Sequence, residues 1–182
     1  MIILLLRGYS NSGKDFVGNI LCEKYGFHRF AFADSLKKIV SKEFGCPHDL
    51  LHSQNGKLLI SESDSRKRTF RQILLDEALR LKSDNPDIFA EFCCHEIMES
   101  HSEKVVITDW RFPNEREVIL KYFPNATIYT TLVLRLDQHN SPVQDESEYL
   151  LKDWKDNTLI INSMSDFIYQ ATHNALERLS II

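Results

Sequence analysis

A glycine-bounded loop, Gly8 to Asp15, directly follows the apolar run Ile2 to Leu6. The loop reads Gly-Tyr-Ser-Asn-Ser-Gly-Lys-Asp, and apolar residues at helical spacing follow it from Phe16 to Tyr25. A buried strand, a glycine loop and a helix in this order place backbone N–H groups and a lysine around a phosphate group. The sequence therefore predicts a phosphate-binding loop, with a plain strand–turn–helix as the alternative.

The same loop predicts how a nucleotide and its metal are bound. We expect Lys14 to span the outer phosphates of ATP. Asp15 stands where serine or threonine normally follows this lysine and binds magnesium. A carboxylate would repel a triphosphate unless a cation lies between them, so we expect Mg²⁺ at Asp15, held directly or through water. The predicted ATP-binding residues are Gly8, Ser10, Asn11, Ser12, Gly13, Lys14 and Asp15.

Composition narrows the classes of function. The 182 residues are about one domain's length. Twenty-two basic and 26 acidic residues give a net charge of -4, which argues against a general nucleic-acid-binding surface. The four cysteines lack the spacing of a disulfide framework, and the N-terminal apolar run is too short to span a membrane. We therefore expect a cytoplasmic protein that binds small molecules and neither nucleic acid nor membrane.

Predicted strands and helices alternate along the chain, which favours right-handed crossovers and a parallel sheet. Five strands are expected, near residues 2–6, 28–33, 105–109, 127–136 and 158–161. Helices on both faces would complete a three-layer α/β/α fold. The prediction is a single domain, residues 1–182, with a helical arm at about 45–101 and a short polar lid at about 136–148.

Charged residues follow several predicted strands, at the sheet edge where open parallel sheets bind ligands. Asp34 and Lys37 follow the second strand and are expected to bind the ligand there. The alternatives are that Asp34 only caps a helix and that Lys37 is only solvated. Asp109 ends the third strand, where such folds place the carboxylate that orients magnesium or its waters. Arg111 comes next, and an Asp109–Arg111 salt bridge is the alternative. Arg135 closes the fourth strand.

Two further arginines, Arg68 and Arg71, stand three apart at the start of a predicted helix whose apolar positions run from Phe70 to Leu81. That spacing predicts a shared face that grips an anionic group, with a solvated helix face as the alternative. No general base stands out in the sequence, and transfer to an acceptor phosphate needs only charge neutralisation and in-line positioning. The predicted catalytic residues are Lys14, Arg71, Arg111 and Arg135.

Three stretches together resemble the viral and bacteriophage deoxynucleoside monophosphate kinases, in order and over most of the chain. They are the loop Gly8 to Asp15, Phe-Ala-Asp-Ser-Leu-Lys at 32–37, and Thr-Asp-Trp-Arg-Phe-Pro-Asn-Glu at 108–115. In that family the loop commonly ends Gly-Lys-Asp. The resemblance implies a phosphate-loop kinase fold and transfer of the ATP γ-phosphate to deoxynucleoside monophosphates, with magnesium, in supply of DNA precursors.

The resemblance also implies an acceptor site and a setting. With the charges above, the expected acceptor-binding residues are Asp34, Lys37, Arg68, Arg71, Trp110, Arg111 and Glu148. For Trp110 the alternative to acceptor binding is a position in the hydrophobic core. For Glu148 the alternative is a place in an exposed acidic turn. A viral protein would act in the host cytoplasm, and a homodimer is left open.

Some positions depart from the family pattern, and other functions remain possible. Members often have proline where Ser35 stands, and glutamine and glycine within Leu75 to Glu77, which leaves base selectivity open. Animal phosphomevalonate kinase is a second relative, sharing Gly-Lys-Asp-Phe-Val and an acidic stretch like Asp145 to Glu148. A nucleotide-binding regulator with slow ATPase activity is a third possibility, although arginines beyond what the donor needs speak against it.

Overall fold

The computed structural model describes residues 1–135, 150–162 and 165–182. The predicted lid, with Glu148, lies outside the described residues. The chain divides into two compact units, one formed by Met1–Ala31 with Cys94–Ile182 and the other by Phe32–Cys93. No helix in the described ranges is long and apolar enough to cross a membrane.

A parallel sheet forms the centre of the first unit. Among the described residues its five strands are β1 Ile2–Arg7, β2 His28–Phe30, β3 Lys104–Ile107, β4 Thr127–Arg135 and β5 Thr158–Asn162, in the order β2-β3-β1-β4-β5. The central strand β1 pairs in parallel with β3 and β4. The predicted five-stranded parallel sheet is confirmed.

Helices cover this sheet and build the second unit. They are α1 Lys14–Tyr25, α2 Phe32–Phe44, α3 Gln54–Leu58, α4 Phe70–Asp84, α5 Ile88–Ser100, α6 Pro113–Tyr122 and α7 Ser165–Arg178, with a 3-10 helix at His48–His52. In the first unit, Leu4 and Leu6 of β1 share one hydrophobic cluster with Val17 of α1 and Ile168 of α7. The intervening residues of β1 are equally buried, as expected for a strand covered on both faces.

The second strand is shorter than its predicted range of 28–33. It ends at Phe30, and α2 begins at Phe32, so Asp34 lies within the first turn of that helix instead of capping it. The alternation of Phe30 and Phe32 with small residues suggested a longer strand, but the chain is helical from Phe32 onward. The buried residues of α2 recur four apart, at Phe32, Leu36 and Val40.

The second unit consists largely of helices. It spans Phe32–Cys93. The helical arm at about 45–101 stays a prediction. Its longest helix, α4, starts with a reciprocal capping box: the Thr69 hydroxyl accepts from the Gln72 N–H, and the Gln72 side chain accepts from the Thr69 N–H. This cap fixes where the helix begins, and therefore that Arg71 lies in its first turn.

Candidate functional site

The loop between β1 and α1 has a backbone that only glycine can supply at two positions. Gly8 has φ +146°, and a Cβ there would lie 2.3 Å from the carbonyl oxygen of Val133 on β4. Gly13 has φ +96° and precedes the first turn of α1, where it offers no side chain to cap the helix. The positive end of the α1 dipole and its first N–H groups therefore lie beside the loop, as an anion site requires.

The loop also fixes a lysine. The Lys14 Nζ donates hydrogen bonds to the carbonyl oxygens of Gly8 and Tyr9, both at 2.8 Å. The Ser12 N–H donates to the same Tyr9 carbonyl at 3.1 Å, which closes the turn. An ammonium group is thus held against the loop, at the carboxyl end of the central strand.

Asp15 lies in the first turn of α1 with its side chain 80% exposed. Its Oδ1 atom is 3.6 Å from Nη2 of Arg29 on β2, a partner that the sequence reasoning did not single out. A carboxylate in the first turn of a helix is also favoured by the helix dipole. Asp15 therefore has a local electrostatic role, and its role at a metal stays a prediction.

Metal binding was predicted at Asp15 and Asp109, and Asp109 lies two residues beyond the end of β3. In the ranges that the structure describes, no cluster of three His, Cys, Asp or Glu side chains could hold a metal ion. Magnesium is usually bound through one or two carboxylates, with substrate phosphates and waters completing its shell. Two carboxylates are enough for Mg²⁺ in that arrangement, and the metal role of Asp15 and Asp109 stays a prediction.

A cavity of about 130 Å³ lies at the carboxyl ends of β1 and β4, in the first unit. Its lining is basic at Arg7, Arg111 and Lys152, apolar at Trp110, Leu132, Leu134 and Leu151, and completed by Gly8 and Tyr9. In the strand order, β2 and β3 lie on one side of β1, and β4 and β5 lie on the other. The cavity is therefore at the point where the strand order reverses direction, which is where open α/β sheets bind ligands. The lining suits a small molecule with an anionic and an apolar part.

Trp110 forms part of the cavity wall from within the core. It is only 1% exposed, its Nε1 donates to the Phe112 carbonyl at 2.9 Å, and its ring packs edge-on against Trp154 with 5.0 Å between centroids. The core alternative for this residue is therefore supported. Little of the Trp110 side chain is therefore exposed for contact with a substrate.

Sequence reasoning missed an ion pair beside the glycine loop. The Nε of Arg7 donates to both carboxylate oxygens of Asp156, at 3.0 and 2.8 Å, and its Nη2 donates to the Trp154 carbonyl at 3.1 Å. The two charged side chains are 11% and 8% exposed. Asp156 therefore balances the charge of Arg7 at this end of the cavity. The only signal in the sequence was a charge at the end of an apolar strand.

Arg135 ends β4 and has an exposed side chain. Arg7 pairs in register with Leu132, and β4 continues to Arg135 beyond that partner. Three residues of strand span about 10 Å, so Arg135 emerges from the sheet edge well past the end of β1.

Three of the predicted acceptor residues of the second unit, Asp34, Lys37 and Arg68, form internal ion pairs. The Lys37 Nζ donates to Asp34 Oδ1 at 2.8 Å, one helical turn away. Arg68 forms a two-pronged pair with Asp64, through Nε at 3.0 Å and Nη2 at 2.9 Å, and also binds Asp76. An anionic ligand would have to compete with these carboxylates.

The expectation that Arg68 and Arg71 share a helix face is wrong. Arg68 precedes Thr69, the N-cap, and therefore lies outside α4, whereas Arg71 lies within its first turn. Helical spacing has no meaning across the cap, because the backbone of Thr69 is extended.

We expect acid to weaken the second unit through Asp64. Hydrogen bonds from the side chain and backbone N–H of Arg68 hold the pKa of the Asp64 carboxyl far below its usual value of about 3.9. A lowered folded-state pKa means that the stabilisation is complete above about pH 4 and is lost as the pH falls further. Asp64→Asn should therefore lower the melting temperature at pH 7 and reduce its further fall between pH 4 and 2.

Thermal melts across that pH range would test this expectation, with Asp49→Asn as a matched control at an exposed carboxyl of the same unit. If Asp64→Asn and the unaltered protein lost the same number of degrees on acidification, the pair would not be the source of acid sensitivity.

Comparison of the sequence with protein-family models and with curated proteins gives no match. Among solved structures, TT1252 from Thermus thermophilus aligns with a TM-score of 0.54 and 16% identity, covering 100% of this chain and 97% of that chain. The predicted three-layer α/β/α fold is confirmed.

Two solved kinases also align over nearly their whole length, at lower TM-scores. An APS kinase of Mycobacterium tuberculosis, in complex with AMPPNP and APS, has a TM-score of 0.49 and 11% identity, covering 98% of this chain and 97% of that chain. A shikimate kinase of Bacteroides thetaiotaomicron has a TM-score of 0.49 and 14% identity, covering 98% of each chain.

Proposed function

We propose that the protein is an ATP-dependent phosphotransferase that converts deoxynucleoside 5′-monophosphates to diphosphates, with Mg²⁺. The observation that carries the proposal is the glycine loop at the end of the central strand, with Lys14 bonded to the carbonyls of Gly8 and Tyr9. Fixed positive charge beside a helix N-terminus is what a polyphosphate needs. The acceptor class rests on the resemblance of residues 8–15, 32–37 and 108–115 to the family named above.

On the donor side, the loop and the N-terminus of α1 bind the phosphates, and Lys14 neutralises charge that develops during transfer. Asp15 and Asp109 would hold Mg²⁺ together with the bound phosphates. When bound, that ion supplies further charge neutralisation. Arg135, at the exposed end of β4, is a further cation proposed for the transferring phosphoryl group.

On the acceptor side, the cavity offers Arg111 to a phosphate and an apolar wall to the rest of the molecule. An acceptor phosphate is already an anion, so its attack needs charge neutralisation and alignment rather than a general base. Within the second unit, the proposed contacts are Asp34, Lys37, Arg68 and Arg71. This activity would place the protein in the supply of DNA precursors, in the cytoplasm.

The proposal predicts that ADP formation from ATP depends on an added monophosphate. A panel of the common deoxynucleoside and nucleoside monophosphates, assayed by product chromatography, should contain at least one that raises turnover about tenfold or more above ATP alone, since a correctly bound acceptor contributes the alignment of the reacting groups. Stimulation by phosphomevalonate alone would favour an activity like that of phosphomevalonate kinase. ATP turnover that no acceptor changes would favour a nucleotide-binding regulator.

A further inference from the structure

Glu115 is a buried carboxylate, 6% exposed, in the first turn of α6. Its Oε2 atom accepts hydrogen bonds from the backbone N–H groups of both Arg111 and Phe112, each at 3.0 Å. Its own N–H donates to the Phe112 carbonyl at 3.2 Å. One side chain therefore holds two successive peptide groups of the segment that brings Arg111 to the cavity.

The bond from the Arg111 N–H goes beyond what starting the helix requires. A capping box needs one bond from the side chain of the third helical residue to the N-cap N–H, here that of Phe112. The additional bond to Arg111 lies outside the helix. Two successive N–H groups converge on one oxygen of this buried side chain, which holds the Arg111 peptide in place.

The same segment is fixed from its other side as well. The Trp110 N–H donates to the Leu6 carbonyl on β1 at 3.2 Å, and the Trp110 ring is buried against Trp154. Backbone motion on either side of Arg111 is thus restricted. Glu115 supplies the part of that restriction that acts on the Arg111 peptide itself.

We propose that Glu115 is a positioning residue, which fixes the backbone of Arg111 so that its guanidinium lines the cavity ready for the anionic group of the acceptor. The acceptor half of this inference rests on the function proposed above, whereas the fixing of the peptide does not. Arg111 contacts the ligand, and Glu115 acts only through Arg111. Losing Glu115 therefore weakens acceptor use without weakening ATP binding.

Kinetics with both substrates would separate this role from a structural one. Glu115→Ala should raise the acceptor KM about tenfold, toward the value for Arg111→Ala, and change the ATP KM less than about twofold, because only the acceptor loses a positioned partner. Glu115→Gln keeps a side-chain oxygen that can accept both N–H groups and should recover most of the loss. If Glu115→Ala kept the normal acceptor KM, the proposal would be overturned.

Val118→Ala is the matched control, because it shortens a buried side chain of the same helix and leaves Glu115 in place. It should lower the melting temperature while both KM values stay within about twofold of the unaltered protein, since cavity formation costs stability alone. If it raised the acceptor KM as much as Glu115→Ala does, the effect would be one of general stability and the proposal would fail.

Amide hydrogen exchange gives a readout that needs no turnover. At conditions of equal stability, the amides of Arg111 and Phe112 should exchange about tenfold faster in Glu115→Ala than in Val118→Ala, because only the first loses the acceptor of those bonds. Equal exchange would overturn the inference whatever the kinetics. If these amides exchange faster in Glu115→Ala but no acceptor stimulates turnover of the unaltered protein, the proposed function fails. The role of Glu115 in fixing the Arg111 peptide would still be supported. If Glu115→Ala does not fold, Glu115→Gln should show a smaller change in the same direction.

Discussion

Lys14→Ala is expected to lower the rate of phosphoryl transfer by about 10² to 10³-fold, the cost of removing one positioned donor from a developing negative charge. The Nζ of Lys14 is held by two loop carbonyls, so its charge is in place before the substrate arrives. The fold should change little, because those bonds are partly solvated and contribute about 1 kcal/mol each. Turnover at saturating acceptor, together with ATP affinity by calorimetry, would measure both effects.

Two variants sharpen that experiment. Lys121→Ala removes an exposed lysine near the end of α6 and should leave turnover unchanged, which controls for the loss of one positive charge. Lys14→Arg keeps the charge but replaces a compact ammonium with a planar group, so an intermediate loss is expected. Normal turnover in Lys14→Ala would mean that the loop does not bind the transferred phosphate, and the proposed function would fall.

The phosphate loop could be predicted because its constraints are local. Gly8 and Gly13 are both required by their backbone angles, and Gly8 also by the closeness of β4, so glycine occurs in the sequence at a recognisable spacing. The alternation of elements was likewise enough to predict the parallel sheet. The boundary between β2 and α2 was misplaced because Phe30 and Phe32 fit an alternating pattern, while the helical burial of Phe32 and Leu36 depends on tertiary packing.

The charged groups were harder to predict because their partners are set by the fold. Arg7 and Asp156 are separated by 149 positions, and no local pattern connects them. Arg68 was expected to work with Arg71, but a cap between them directs Arg68 to Asp64 and Asp76. Sequence patterns thus identified residues that carry charge near strand ends, but could not tell which of those charges are already balanced.

The second large effect is expected at the ion pair between Arg7 and Asp156. Asp156→Ala would leave a nearly buried guanidinium without its carboxylate, and breaking a buried pair on one side costs about 3 to 5 kcal/mol. The free energy of unfolding from denaturant titration would show the loss. ATP affinity should fall as well, because Arg7 directly precedes Gly8 and its guanidinium ties the start of the loop to Trp154 and Asp156.

The reason for that cost can be tested by removing both charges together. Arg7→Met with Asp156→Leu fills similar volume without leaving an unpaired charge and should recover most of the stability, as replaced buried ion pairs often do. Glu117→Ala, which breaks an exposed pair with Arg116, should cost only about 0 to 1 kcal/mol. If Asp156→Ala cost no more than Glu117→Ala, the Arg7 pair would not stabilise this end of the sheet. A double variant with restored stability but weak ATP binding would show that the pair holds the loop in its binding conformation, separately from its contribution to folding.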